Sequence, residues 1–167
     1  MFYATQAREP FPYYQHEKIG YNYRMSNVLA GIGRGQMKVL ENRIAKKNEI
    51  FEKYKEAFKD IKEIEMMPEN ENERSNEWLS AMTLKETSKV KPLDVILALE
   101  KENIESRPVW KPMHMQPVFE KYDFISENES GISVGEDLFN RGVCLPSDTK
   151  MTDEDIERVI NIIKNCF

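Results

Sequence analysis

Two polar side chains near the start of the chain, Asn22 and Arg24, could together bind an anion. In an extended segment the side chains of residues i and i+2 point to the same side, and a guanidinium fork matches the geometry of a phosphate group. The alternative is a turn asparagine followed by an ordinary surface arginine. Spacing alone favours that alternative, so an anion site here needs independent support.

A second candidate is the segment 107–116, which carries Trp110, Lys111 and His114 without helical periodicity. Non-helical segments often carry binding residues, and a tryptophan beside cationic groups can stack on a sugar or a base. In the alternative interpretation, Trp110 and Met113 fill the core and Lys111 is solvated. The sequence leaves these two interpretations evenly balanced.

A cluster of glycines, Gly31, Gly33 and Gly35, superficially resembles a phosphate-binding loop. It follows a helix N-cap rather than a strand, and the lysine and hydroxyl residue of a P-loop do not follow it. We therefore expect the glycines to allow the close approach of another helix or subunit. The residues taken alone show no catalytic constellation.

The composition is that of a soluble globular protein of one domain or slightly more, with 167 residues of which 40% are hydrophobic and 32% charged. The 24 basic and 29 acidic residues are interspersed, which argues against a nucleic-acid partner. The chain contains neither a long apolar run nor a signal peptide, so we expect no membrane contact and a cytoplasmic location. Cys144 and Cys166 have neither zinc-site nor disulfide spacing, so no metal is expected.

The first half of the chain predicts a loop, a long helix and a strand. Residues 1–25 are rich in aromatic residues and proline and predict an ordered loop. From the N-cap Ser26 onward, apolar residues recur at spacings of 3, 4 and 7 and predict one connecting helix, broken at most once. The stripe consists of Met37, Leu40, Ile44, Phe51, Tyr54 and Phe58. Residues 59–75 are predicted as the helix end and a loop, and residues 76–84 as a strand with Trp78 in the core.

The second half predicts alternating strands and helices. Pro92 begins a helix whose predicted apolar face is Leu93, Ile96, Leu97, Leu99 and Ile104. Three prolines confine residues 105–119 to an edge strand and a loop. Residues 131–141 predict a short helix, residues 142–146 a strand, and Thr152 the start of a last helix whose apolar stripe is Ile156, Val159, Ile160 and Ile163. The pattern indicates an α+β fold, a small antiparallel sheet covered on one face by helices.

Three segments carry a family resemblance: residues 4–36, which include GYNYR, residues 107–119 (RPVWKPMHMQPVF) and residues 142–160 (GVCLPSDTKMTDEDIERVI). In this order they resemble the DegT/DnrJ/EryC1/StrS family of sugar aminotransferases, particularly members acting on nucleotide-linked 4-keto sugars. The resemblance implies the aspartate-aminotransferase (type I) fold, in which a large domain holds pyridoxal phosphate and a small C-terminal domain covers the site. It also implies a homodimer with the active site at the subunit interface.

On this resemblance the chain divides into a loop segment of the large domain (1–25), a long connecting helix (26–60) and the C-terminal small domain (61–167). Asn22 would bind the phosphate of the partner subunit's pyridoxal phosphate, with Arg24 assisting. Trp110, Lys111 and His114 would lie on the substrate side, His114 being the first choice.

No segment of the chain matches the family's lysine motif, on which the cofactor would be carried. The resemblance therefore implies the C-terminal part of an enzyme that transfers an amino group, from glutamate as the expected donor, to a nucleotide-linked keto sugar. The chain alone is expected to be inactive and to bind no cofactor. The alternative is a stand-alone, non-catalytic interaction or regulatory module derived from the same fold.

Overall fold

The structure is a computed structural model that describes residues 1–125 and 133–167. The described chain separates into two compact units, Met1–Glu41 and Asn42–Phe167. The predicted division at residues 25 and 60 stays a prediction. The predicted helix over residues 131–141 begins outside the described residues, and its described part is the helix Val134–Arg141.

The first unit holds an aromatic loop and the helix α1 (Asn27–Met37). The loop is closed by an isolated antiparallel bridge between Thr5 and Asn22. Gly20 is required there, because an added Cβ would lie 2.3 Å from the backbone of residues 6 and 7. The predicted N-cap is confirmed, since the Ser26 hydroxyl accepts a hydrogen bond from the backbone N–H of Leu29 at 3.3 Å.

The predicted long helix is interrupted once, at Lys38 and Val39, and continues as α2 (Leu40–Phe58). Its second half carries the predicted stripe into the core of the second unit, where Ile50, Phe51, Tyr54 and Phe58 are buried. The buried Tyr54 hydroxyl donates to the carbonyl of Pro146 at 2.8 Å. Burial also raises the pKa of the Tyr54 phenol.

The second unit is built on a four-stranded antiparallel sheet with strand order β1-β2-β4-β3. Its strands are β1 (Ile64–Met66), β2 (Ser80–Leu84), β3 (Arg107–Pro108) and β4 (Gly142–Leu145). The predicted edge strand is confirmed as β3. The short strand β1 lies within residues 59–75, which the sequence predicted as a helix end and loop. The prediction missed this strand because three residues are too few to show an alternating pattern.

Helices α2, α3 (Pro92–Lys101) and α5 (Asp153–Lys164) pack apolar residues against one sheet face, which carries Met82 and Leu84. The predicted stripe of α5 is confirmed, with Ile156, Val159 and Ile163 buried. Three 3-10 turns, Phe2–Ala4, Met113–Met115 and Pro117–Phe119, and the helix α4 (Val134–Arg141) complete the described elements.

The apolar face predicted for α3 is wrong in part. Val95 and Leu99 are the buried residues of this helix, whereas Leu93 and Leu97 are exposed. Residues 95 and 99 lie one turn apart on the side that meets the sheet and α5, and the helix is rotated relative to the predicted orientation. The α+β fold itself, with a small antiparallel sheet, is confirmed.

Candidate functional site

An open groove of about 760 Å³ lies in the second unit, beside the edge of the sheet. It is bounded by Trp78 before β2, by residues 105–111 around β3, and by residues 144–148, which form the end of β4 and the loop that follows it. We call it the tryptophan groove. It brings Trp110 and Lys111, both predicted as substrate-side residues, to one surface.

Two exposed tryptophans stack in this groove. The rings of Trp78 and Trp110 lie with their centroids 5.7 Å apart at an interplanar angle of 25°, and the residues are 63% and 62% exposed. Tryptophan side chains are highly buried on average in folded proteins, so two neighbouring ones with most of their surface exposed are unusual. A paired aromatic surface is suited to a flat or ring-shaped ligand.

The prediction that Trp78 belongs to the core is wrong. Strand alternation would place residue 78 on the same face as Ser80, but β2 begins only at Ser80. Glu77, the residue before Trp78, has a φ of 43°, which lies in the left-handed region. The backbone therefore leaves the extended path at this residue. As a result Glu77 is buried and Trp78 faces solvent.

Lys47 of α2 holds two walls of the groove together. Its ammonium donates to the backbone carbonyl of Trp78 at 2.8 Å and also to that of Ser147. Burial lowers the pKa of Lys47, and the carboxylate of Asp148 opposes that shift. Lys47 thereby links the segment before β2 to the loop after β4.

The sequence prediction missed Lys47, although a signal for it exists. The apolar stripe of α2 runs at spacings of 3 and 4, with one gap between Ile44 and Phe51. Lys47 occupies that gap and therefore lies on the inward face of the helix. A lysine in an apolar stripe indicates an ammonium that is used inside the fold.

Lys111 and Lys47 supply positive charge in the groove. The charge of Arg107 is neutralised by Glu105, because the Nε of Arg107 donates to Oε1 of Glu105 at 2.8 Å. Lys111 is exposed, and its ammonium has no hydrogen-bond or ion-pair partner within residues 1–125 and 133–167. A free ammonium beside an aromatic pair fits a ligand that combines a ring with an anionic group.

His114, the first choice for a substrate contact, does not line the tryptophan groove. Its ring stacks on Phe124 with the centroids 3.6 Å apart, and its Nε2 lies 3.5 Å from Oε1 of Glu136. That distance is too long for a good hydrogen bond, so the buried Nε2 contacts the carboxylate as an ion pair only when the imidazole is protonated. The backbone N–H of Ser133, and then the His114 charge, lower the pKa of Glu136.

Asn22 and Arg24 lie in the first unit, in the segment that the bridge to Thr5 holds in place. The rings of Tyr21 and Tyr23 stack with centroids 5.1 Å apart, so these two side chains share one side of the segment. Asn22 and Arg24 are both exposed, and neither has a side-chain partner among the described residues. Free amide and guanidinium donors two residues apart fit a phosphate group.

Among the described residues, no three His, Cys, Asp or Glu side chains are grouped so that they could bind a metal ion. The helices of the described chain also include none long and apolar enough to cross a bilayer. The two candidate sites are separate: the tryptophan groove lies in the second unit and the Asn22–Arg24 pair in the first.

The family assignment follows from comparison with known proteins. The model of the DegT/DnrJ/EryC1/StrS aminotransferase family matches residues 3–164. The chain belongs to this family. The sequence resemblance is thereby confirmed over nearly the whole chain.

The relatives of the chain include a protein named as an aminotransferase and a GDP-perosamine synthase. The chain is 46% identical over 166 residues to the putative pyridoxal phosphate-dependent aminotransferase EpsN of Bacillus subtilis, covering 99% of this chain and 42% of EpsN. It is 29% identical over 154 residues to a GDP-perosamine synthase of Vibrio cholerae, covering 92% of this chain and 41% of that protein. The chain thus spans about two fifths of the length of the curated relatives that it matches.

The fold is also that of solved aminotransferases. Helicobacter pylori PseC, an aminotransferase involved in the biosynthesis of pseudoaminic acid, superimposes with a TM-score of 0.80 at 18% identity. The match covers 99% of this chain and 44% of PseC. At this level of identity the likeness supports the fold, and it agrees with the predicted small domain of a type I aminotransferase.

Proposed function

We propose that this chain is the C-terminal part of a pyridoxal-phosphate-dependent aminotransferase that acts on a nucleotide-linked keto sugar, with glutamate as the amino donor. The proposal rests on family membership and on one observation, the exposed Trp78–Trp110 stack in a groove that also presents a free ammonium. A nucleotide sugar supplies a flat base and sugar rings for the tryptophan stack and a diphosphate for the ammonium of Lys111.

In the proposed mechanism each group of the chain binds or orients. The indoles of Trp110 and Trp78 stack on the base or the sugar, and Lys111 neutralises phosphate charge. Asn22 and Arg24 donate hydrogen bonds to the phosphate of pyridoxal phosphate held by the neighbouring subunit. His114 supports the substrate segment through Phe124 and Glu136. The cofactor, when bound, supplies the electron sink for moving the amino group.

We also propose a homodimer, because Asn22 and Arg24 contribute to a cofactor site only if another subunit provides the rest. The apolar side chains Val28, Leu29 and Ile32 of α1 are exposed. An added Cβ at Gly31, Gly33 or Gly35 would meet nothing within 4 Å in the described chain. This open, apolar helix is suited to contact with a second subunit. Cys144 and Cys166 are free thiols, which fits the reducing cytoplasm as the proposed location.

The groove is tested by calorimetric titration of the chain with GDP and with UDP. Base stacking on an aromatic side chain contributes about 1–3 kcal/mol, so Trp110→Leu should weaken binding of the preferred nucleotide about ten-fold or more. Tyr122→Leu is the matched control, because Tyr122 is equally exposed at 62% and does not line the groove. Equal affinity of the two variants, or no binding of either nucleotide, refutes the assignment of the groove.

The proposed inactivity of the chain alone is tested by turnover. The purified chain is incubated with pyridoxal phosphate, glutamate and a nucleotide-linked 4-keto sugar, and the amino sugar is sought by mass spectrometry. No product is expected, since no residue of the chain matches the lysine that carries the cofactor. Product formation would overturn this part of the proposal and leave the groove assignment untouched.

A further inference from the structure

A second groove, separate from the tryptophan groove, lies between α2 and the segment that joins β1 to β2. Its volume is about 550 Å³. Its lining side chains carry carboxylates, amides, one aromatic ring and one guanidinium, and they include Asn48, Phe51, Glu52, Glu69, Glu73, Arg74 and Glu77. We call it the acidic groove. Nothing in the proposed aminotransferase function uses it.

The decisive feature of the acidic groove is the carboxylate of Glu77. This residue is only 4% exposed, and its Oε2 is buried with no hydrogen-bond partner in the described chain. Its backbone N–H is fixed by the hydroxyl of Ser75 at 3.2 Å. A buried carboxylate oxygen without a donor is strongly unfavourable, so a donor from outside the described residues is expected to reach it.

Asn48 adds a second unsatisfied acceptor on the opposite wall. Its Oδ1 is also buried and has no partner within residues 1–125 and 133–167. Asn48 lies on α2, one turn before the Glu52 that lines the same groove. Two walls of the groove thus present acceptor oxygens that need donors.

Four carboxylates line the groove, those of Glu52, Glu69, Glu73 and Glu77, against one lining guanidinium, that of Arg74. Lys55 pairs with Glu52 at 3.2 Å and with Glu69 at 3.3 Å, so one ammonium serves two carboxylates. The same ammonium lies 5.7 Å from the centroid of the Phe51 ring. Glu77 makes no ion pair within residues 1–125 and 133–167, and the Phe51 ring that lines the same groove attracts cations.

The shape of the groove distinguishes an organic cation from a metal ion. Among the described residues no three ligating side chains are grouped for a metal. A cavity of about 550 Å³ is also far larger than a bare ion needs. A guanidinium or alkylammonium group has several N–H donors for two separated acceptors and an apolar stem for the Phe51 and Met67 wall. We propose that the acidic groove binds a guanidinium or alkylammonium group, whose donors pair with Glu77 and Asn48.

The test is a titration of the chain with agmatine, followed by backbone amide NMR shifts. We expect saturable shifts at residues 48, 77 and 78, and a melting temperature that rises with agmatine concentration. A blocked glycine–arginine–glycine peptide forms the second arm. Binding of the peptide as well as agmatine identifies a protein side chain as the source of the guanidinium, and binding of agmatine alone identifies a small molecule.

Two near-isosteric variants decide the site. Glu77→Gln removes the charge and should weaken agmatine binding about ten-fold or more. Asn48→Asp adds a charge at the second acceptor and should tighten binding several-fold, which damage to the fold cannot do. Glu71→Gln is the matched control, an exposed carboxylate of the same loop that does not line the groove, and should leave binding unchanged.

Three results would each overturn the proposal. The first is the absence of saturable binding in both arms. The second is equal agmatine affinity of the Glu77→Gln and Glu71→Gln variants. The third is displacement of agmatine by an equal concentration of Ca²⁺, which would make the groove a metal site instead. All of these readouts are binding measurements, so they stand apart from the test of the aminotransferase function.

Discussion

Replacing Lys47 by methionine should destabilise the fold and loosen the tryptophan groove. Methionine keeps the apolar stem and removes the ammonium, which leaves the carbonyls of Trp78 and Ser147 without the donor that joins them. A hydrogen bond from a charged donor contributes about 1.5–3 kcal/mol in a buried setting. Because Lys47 is only half-buried, we take about 1 kcal/mol for each bond and expect a loss of about 2 kcal/mol in unfolding free energy.

The assay is urea unfolding followed by far-ultraviolet circular dichroism. With a slope of about 2 kcal/mol per molar urea, the midpoint should fall by about 1 M. Lys59→Met is the control, since Lys59 directly follows the last residue of the same helix and its ion pair with Glu56 is exposed to solvent, and should change stability by less than about 0.5 kcal/mol. If the two variants unfold at the same urea concentration, Lys47 does not hold the groove walls together.

Three further predictions concern the framework. Leu99→Ala should cost about 3 kcal/mol in thermal or urea unfolding, whereas Leu93→Ala should cost less than about 0.5 kcal/mol, because only Leu99 is buried. The backbone N–H of Thr152, the N-cap of α5, donates to the Asp155 carboxylate and lowers the pKa of Asp155 below 3.8. The stabilisation from the ionised Asp155 is therefore complete above pH 3.8 and is lost as the pH falls through the lowered pKa. The stability difference between wild type and Asp155→Asn, followed by acid titration, should therefore shrink below pH 3.8. Gly20→Ala should open the N-terminal loop to limited proteolysis and Gly35→Ala should not, because an added Cβ clashes with backbone at Gly20 and meets nothing within 4 Å at Gly35 in the described chain.

Periodicity in the sequence predicted the elements whose pattern is long. The last helix repeats its apolar residues over about two turns, and its stripe is buried at Ile156, Val159 and Ile163 and partly buried at Ile160. The strand β1 escaped prediction because three residues carry no recognisable alternation. The sequence prediction of the α3 orientation was wrong because Leu93 and Leu97 are apolar residues that are exposed to solvent. Which face of the helix is buried depends on how the helix packs against the sheet.

The site was predictable only where residue type alone indicates binding. Trp110 and Lys111 stood out in a proline-rich segment, and both line the groove. Trp78 was assigned to the core because one backbone angle, the positive φ of Glu77, reverses which neighbour is buried. No alternation rule anticipates that reversal, because Glu77 is not a residue type that favours the left-handed region.

Both edges of the sheet are short. The edge strand β1 has three residues and β3 has two, one of which is a proline that offers no N–H for a further strand. Charged side chains, Glu65 on one edge and Arg107 on the other, add a penalty for any apolar strand that approaches. Short, charged edges therefore disfavour the addition of a fifth strand from another chain, which protects the sheet from edge-to-edge aggregation.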